Sequence, residues 1–178
     1  MIPTTLNKEV LDLNEFAIDH FPGEARTYYS IDTVTDEDME LAEVYTTEFL
    51  NTIDHSSVST HTMVLKVGMT VVLPRNMAAP NGDCNGTRYI FTLLRDNVIE
   101  LRQIGTNRRI LIPRIYVTTS ACALPIKPKR RQSPIRVAFT ATINKAQGVI
   151  LKRLGLCLPQ PVFGHGQMSV GISRVGDP

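Results

Sequence analysis

Apolar residues recur along the chain with two periods, and each predicts its own kind of element. From Asn7, the residues Val10, Leu13, Phe16 and Ala17 return at helical spacing until Phe21-Pro22-Gly23 breaks the run, so a helix is expected there with Asn7 as its cap. Ile2 to Thr5 reads as the end of a strand, and Arg26 to Val34 alternates as a strand does. Thr35-Asp36-Glu37-Asp38 then offers a cap and acidic first-turn residues that suit a helix dipole. Helical patches follow at Met39 to Val44 and Thr47 to Ile53. Residues 54 to 61 are polar and read as a loop.

From Thr62 to Thr118 the pattern shortens. Runs of Val, Ile, Leu, Thr and Tyr are cut by Gly68, Asn81-Gly82, Asn85-Gly86, Asp96-Asn97 and Gly105-Thr106-Asn107, which predicts a meander of about five strands. Closure into a small barrel is expected, because a flat meander leaves exposed edges. Leu124 to Pro134 is basic and proline-punctuated, and reads as an internal boundary carrying the tract Lys129-Arg130-Arg131. That tract suits a phosphate-contacting connector or a nuclear-import address. Beyond it, Ile135 to Thr140 reads as a core strand, Thr142 to Gly148 as a turn into a helix, Leu154 to Leu158 as a strand and His165 to Ser173 as a final helix. This alternation is α/β.

The 178 residues, 43% hydrophobic, can bury a core as one domain or one domain with a small insertion. No apolar run approaches the roughly 18 residues that span a bilayer, and the amino terminus lacks a secretory pattern, so neither membrane nor secretion is expected. Cys84, Cys122 and Cys157 are odd in number and widely spaced, and the histidines are scattered, which argues against a disulfide framework or a metal site. Charge is strongly polarised: residues 1 to 60 hold 13 acidic and 2 basic side chains, residues 61 to 178 hold 17 basic and 4 acidic. A basic second part is the footprint of a nucleic-acid binder, although solvated surface charge would look the same.

Two segments carry the candidate chemistry. Thr142, Asn144 and Gln147 supply neutral donors and acceptors, Lys145 a fixed positive charge, and Gly148 room for close approach, a set that suits a phosphodiester backbone. Arg174, in Ser169-Val170-Gly171-Ile172-Ser173-Arg174-Val175, could offer a forked guanidinium to a terminal phosphate. Taken singly, the first is also an ordinary helix start and the second an ordinary surface arginine.

Together and in order, Pro134 to Phe139, Thr142 to Gly148, Leu156-Cys157-Leu158-Pro159, Phe163-Gly164-His165-Gly166-Gln167 and Ile172-Ser173-Arg174-Val175 resemble helicase motifs V and VI of the PIF-type (petite integration frequency) DNA helicases, most closely their Helitron transposon-encoded branch. Leu65 to Met69, Arg75-Asn76 and Asn81 to Arg88 resemble the start of that family's inserted SH3-like domain. Leu111 to Ile115 and Lys129 to Gln132 resemble its end, and Asn7 to Val10, Asn14, Phe21 to Glu24 and Tyr28 to Ser30 its motif IV region.

The resemblance implies an α/β fold: a RecA-like second motor domain, split over residues 1–60 and 119–178, around an inserted SH3-like 2B barrel at 62–118. It implies the carboxyl-terminal part of an ATP-dependent 5′-to-3′ DNA helicase, a hydrolase of DNA repair, recombination and telomere maintenance. Thr142, Asn144, Lys145, Arg130 and Arg131 would contact single-stranded DNA, while Gln147, Gly148 and Arg174 would face ATP, with Arg174 as the catalytic arginine finger. The barrel would guide the strand, with Arg75, Arg88, Arg95, Arg102, Arg108, Arg109 and Arg114 as candidates for the guiding face. Lys145 and Arg174 are expected on neighbouring lips of one groove. Localisation would be nuclear, with the mitochondrion as the alternative.

No glycine-rich phosphate loop ending in Lys-Ser/Thr occurs in these residues. ATP and Mg2+ are therefore expected only with an amino-terminal helicase half supplied from elsewhere, and the chain alone is expected not to hydrolyse ATP. The sheet is expected to be incomplete after motif VI. Val149, Ser169 and Gly171 depart from the family pattern, and Gly171 is expected to weaken its helix by roughly 1 kcal/mol relative to alanine. The alternative is a non-enzymatic nucleic-acid-binding module or transposon-derived relic. A peptide-binding adaptor is disfavoured by the absence of Trp and an aromatic content of 6%.

Overall fold

The computed structural model describes residues 1–35, 44–53, 59–118, 126–146, 153–159, 164 and 166–176. In chain order its elements are β1 (Ile2–Thr4), α1 (Asn7–His20), β2 (Arg26–Tyr29), β3 (Ile31–Val34), α2 (Thr47–Thr52), β4 (Thr62–Leu65), β5 (Thr70–Val72), β6 (Arg88–Leu94), β7 (Val98–Gln103), β8 (Arg109–Pro113), β9 (Ile115–Thr118), β10 (Pro128–Gln132), β11 (Arg136–Val137), β12 (Thr140–Thr142) and α3 (Gln167–Ile172). The fold is α/β, with strands outnumbering helices among the described residues. The helical patch expected at Met39 to Val44 lies almost wholly outside them.

The chain divides into two compact units, residues 1–21 with 137–178, and residues 22–136. In the first, β1 and β12 pair in parallel, Ile2 opposite Thr140 and Thr4 opposite Thr142. Helix α1 is tied to β12 because Thr140 donates its N–H to Asn14 Oδ1 (3.1 Å) and its hydroxyl to Val10 O (2.9 Å). Its cap is Leu6 rather than Asn7. Leucine has no side-chain acceptor, so the work falls to Glu9, whose carboxylate accepts from Leu6 N–H (3.1 Å), the Thr5 hydroxyl (3.0 Å) and the Thr4 hydroxyl. The strand expected at Leu154 to Leu158 is not a regular one, yet Gly155 and Cys157 donate N–H to Met1 O and Pro3 O, so the segment runs beside β1.

In the second unit, the stretch expected as one strand at Arg26 to Val34 breaks at Ser30: β2 pairs with β4, and β3 pairs with β10. The meander is real. β5, β6, β7 and β8 are joined antiparallel, with a register irregularity between Phe91 and Leu93. Alternation buries Val71, Tyr89, Phe91, Ile99, Leu101 and Ile112 on one side of this sheet. Its strand order is β11-β5-β6-β7-β8, with β11 and β8 at the two edges, so the pairing is that of an open sheet and a closed barrel is not shown. The basic tract read as a boundary is strand β10, the middle of a three-stranded sheet between β3 and β9. Composition misleads here because β10 buries Pro128, Arg130 and Gln132 rather than apolar side chains.

Candidate nucleic-acid interface

Strand β12 delivers Thr142, half-buried and opposite Thr4, to a single 3-10 turn over Ile143–Ala146. Ile143 is fully buried and anchors the turn, which leaves Asn144 and Lys145 exposed at its crest. Helix α3 packs against the same turn. The contact is close at Gly171, where a Cβ would lie 3.2 Å from Leu156 Cδ1 and 3.8 Å from Ile143 Cδ1. Glycine thus lets the helix backbone settle on Ile143 and Leu156, a role that propensity alone does not reveal.

Arg174 lies just past the end of α3. Its Nε donates to Val170 O (3.0 Å) and its Nη2 to Ser173 Oγ (2.8 Å), which folds the guanidinium onto its own helix and leaves Nη1 without a partner among the described residues. Gln167, at the start of α3, is buried, and its Oε1 likewise has no partner there. The elements bearing Lys145 and preceding Arg174 are therefore brought together. Gln147 and Gly148 lie outside the described residues. Among the described residues no group of three or more His, Cys, Asp or Glu is placed to hold a metal ion, and no helix is long and apolar enough to cross a membrane.

Arg130 and Arg131, neighbours in sequence, have opposite surroundings. Arg130 is 5% exposed. Its Nε meets Asp32 Oδ1 and Oδ2 at 2.8 and 3.0 Å, and its Nη2 meets Asp32 Oδ2 at 2.6 Å. It also donates to the carbonyls of Leu50, Ile53 and Ser59, each at 3.0 Å, and so caps the carboxyl end of α2. This is a correction to the expectation for Arg130: a guanidinium so enclosed has no donor to offer a phosphate. Asp32 is 6% exposed and also accepts from Ser30 Oγ (2.8 Å). No local sequence signal announces it, since its partner lies 98 residues away.

Arg131 sits on the open face of β10, its Cζ 5.7 Å from the centroid of the Tyr116 ring, while Lys129 Nζ lies 5.0 Å from the same ring. Tyr116 is absent from the sequence-based set. Alternation in β9, where Val117 is buried and Tyr116 and Thr118 are exposed, was the available signal. The proposed guiding arginines are partly engaged: Arg108 pairs with Asp83, Arg109 reaches Glu100 at 3.4 Å, and Arg114 donates to Tyr29 O. Burial lowers the Arg88 pKa. Tyr89 is fully buried and donates to Asp83 Oδ1 (2.5 Å); burial, then that carboxylate, push its phenol well above its ordinary value. The Thr4 hydroxyl holds the Glu9 carboxyl below its usual range.

Residues 48–94 match the family model of the DNA helicase Pif1 2B domain. The chain is 28% identical over 166 residues to the ATP-dependent DNA helicase PIF1 of Danio rerio, covering 90% of this chain and 23% of that protein. The Homo sapiens protein is 25% identical over 174 residues, covering 96% and 25%. The chain thus spans about a quarter of the length of these relatives. Among solved structures, Bacteroides Pif1 bound to ssDNA superposes with a TM-score of 0.71 at 23% identity over 98% of this chain and 38% of that one. Candida albicans Pif1 helicase gives 0.69 at 20%, over 98% and 43%. These structures share the fold, and the resemblance to the Pif1 helicases drawn from the motifs is borne out.

Proposed function

We propose that this Pif1-like chain is the carboxyl-terminal part of an ATP-dependent 5′-to-3′ DNA helicase, holding single-stranded DNA through Thr142, Asn144 and Lys145, with Arg131 as a separate contact. In this reading residues 62–118 are the SH3-like 2B insertion, and residues 1–60 with 119–178 the split RecA-like domain. The observation that carries it is the packing of α3 on the 143–146 turn, because one close contact then joins the segment gripping the strand to the segment that ends in Arg174. The match of residues 48–94 to the Pif1 2B family model supports the insertion.

ATP and Mg2+ would supply the driving phosphoryl transfer, held mainly by an amino-terminal helicase half. The residues present fit a modest share of that site: Arg174 keeps one guanidinium nitrogen without a partner among the described residues, which can point a positive charge at phosphate. The chain alone is expected to lack ATPase activity. A nuclear or mitochondrial location belongs to the same proposal.

Fluorescence anisotropy with a labelled oligothymidylate tests the reading. Binding should fall with salt, since each neutralised phosphate of a single strand contributes a slope of about −0.7, and Lys145→Ala should weaken it and flatten the slope by about that amount. A wild-type chain that leaves the oligonucleotide free at low salt would refute the assignment. Binding that is intact yet indifferent to an added amino-terminal half and ATP would favour the non-enzymatic module.

A further inference from the structure

We propose that the open face of the β3-β10-β9 sheet is a second contact surface for single-stranded nucleic acid, in which Tyr116 stacks a base and Lys129 and Arg131 hold the flanking phosphates. The register builds the site. Arg131 lies between Ile31 and Tyr116 across the sheet, and Lys129 between Thr33 and Thr118, all on one side because successive residues alternate faces. The opposite side takes Asp32 and Arg130 into the interior.

Three features give this face its chemistry. Tyr116 is 54% exposed, with no hydrogen bond to its hydroxyl among the described residues. Lys129 and Arg131 approach its ring at 5.0 and 5.7 Å and have no ion-pair partner among the described residues. The three strands themselves place no carboxylate on this face, since Asp32 is their one acidic residue and it points inward. Among the described residues two cations are therefore left uncompensated, about 7 Å apart along one strand, at the edge of an aromatic platform. An acidic peptide would use the charges and leave the ring idle. A single-stranded nucleic acid uses both, because every base has a face to stack and every link a phosphate to neutralise. A base entering over Tyr116 would release the cations from the ring to the adjoining phosphates.

This inference rests on the nucleic-acid reading above, and the test separates the two. Anisotropy titrations of labelled oligothymidylate use the full chain, with Lys145→Ala as the comparison. Tyr116→Ala should weaken binding roughly 5- to 150-fold, while Tyr116→Phe, which keeps the ring, should bind as wild type. Lys129→Gln and Arg131→Gln should each flatten the salt slope by about 0.7. Circular dichroism melts of these surface variants should match wild type, and Tyr116→Phe controls for any that do not. Loss of binding in Lys145→Ala with none in Tyr116→Ala would overturn this surface and leave the general reading standing. Failure of the wild-type chain to bind would sink both. Equal losses in Tyr116→Ala and Tyr116→Phe, or an oligoglutamate peptide that depends on Tyr116 where the oligonucleotide does not, would also overturn it.

Discussion

Replacing Arg130 by methionine removes a cation that is almost entirely enclosed. Three contacts of 2.6–3.0 Å to Asp32 disappear with it, together with donors to the carbonyls of Leu50, Ile53 and Ser59. Asp32, itself 6% exposed, is left with the Ser30 hydroxyl at 2.8 Å and His61 Nδ1 at 3.7 Å. Stripping a buried charge of its main partner costs about 3–5 kcal/mol. One kcal/mol moves the melting midpoint of a chain of this size by about 2–4 °C, so the variant should melt roughly 6–20 °C lower. The cost comes from the stranded partner, so Asp32→Leu combined with Arg130→Met should recover most of the loss. Urea and thermal denaturation of both single variants and the double variant measure the coupling. Arg130→Lys should recover little, because an ammonium cannot fork across a carboxylate and three carbonyls. Below its melting range, Arg130→Met should bind oligonucleotide as wild type does. A stability loss under about 1 kcal/mol accompanied by weaker DNA binding would refute the reasoning and return Arg130 to the nucleic-acid surface.

Three further outcomes follow from the buried polar contacts and the α3 packing. Tyr89→Phe removes a hydrogen bond to a carboxylate and should cost about 1.5–3 kcal/mol in urea denaturation. The raised Tyr89 pKa also favours the folded state below the ordinary phenol value of 10.0, and this stabilisation is lost as pH rises from there; the Phe variant should show a shallower alkaline decline. Glu9, whose pKa is lowered from 4.5, contributes stability that is complete above that value and lost as pH falls through the lowered one. Glu9→Gln should accordingly flatten the acid limb of a melting-temperature profile, and an unchanged limb would count against the Thr4 and Leu6 contacts. Gly171→Ala adds a helix former worth up to about 1 kcal/mol, but its Cβ would press Leu156 Cδ1 at 3.2 Å. A small net gain is expected because the end of a leucine side chain can yield, and a loss would show that the α3 packing is rigid.

What was legible in the chain depended on which chemistry buries each element. Helix α1 and the β5–β8 meander were visible because apolar residues set their period, and the pairing of motif segments pointed to the same helicases that the chain is similar to over nearly its whole length. Strand β10 was hidden because its inward positions are Pro128, Arg130 and Gln132, held by Asp32, by carbonyls, and by Gln132 donating to Tyr28 O and His61 O. A period of 2 was present all along, written in polar residues, and hydrophobic patterning cannot register a strand whose inner face is satisfied by charge and hydrogen bonds. The same blindness divided the site wrongly. Lys129, Arg130 and Arg131 look like one basic patch in a linear reading, yet alternation turns Arg130 into the interior and leaves the other two outside with Tyr116. A basic run inside a sheet is thus two populations, one spaced for the core and one for a partner, and only the residue opposite each, Asp32 or Tyr116, says which is which.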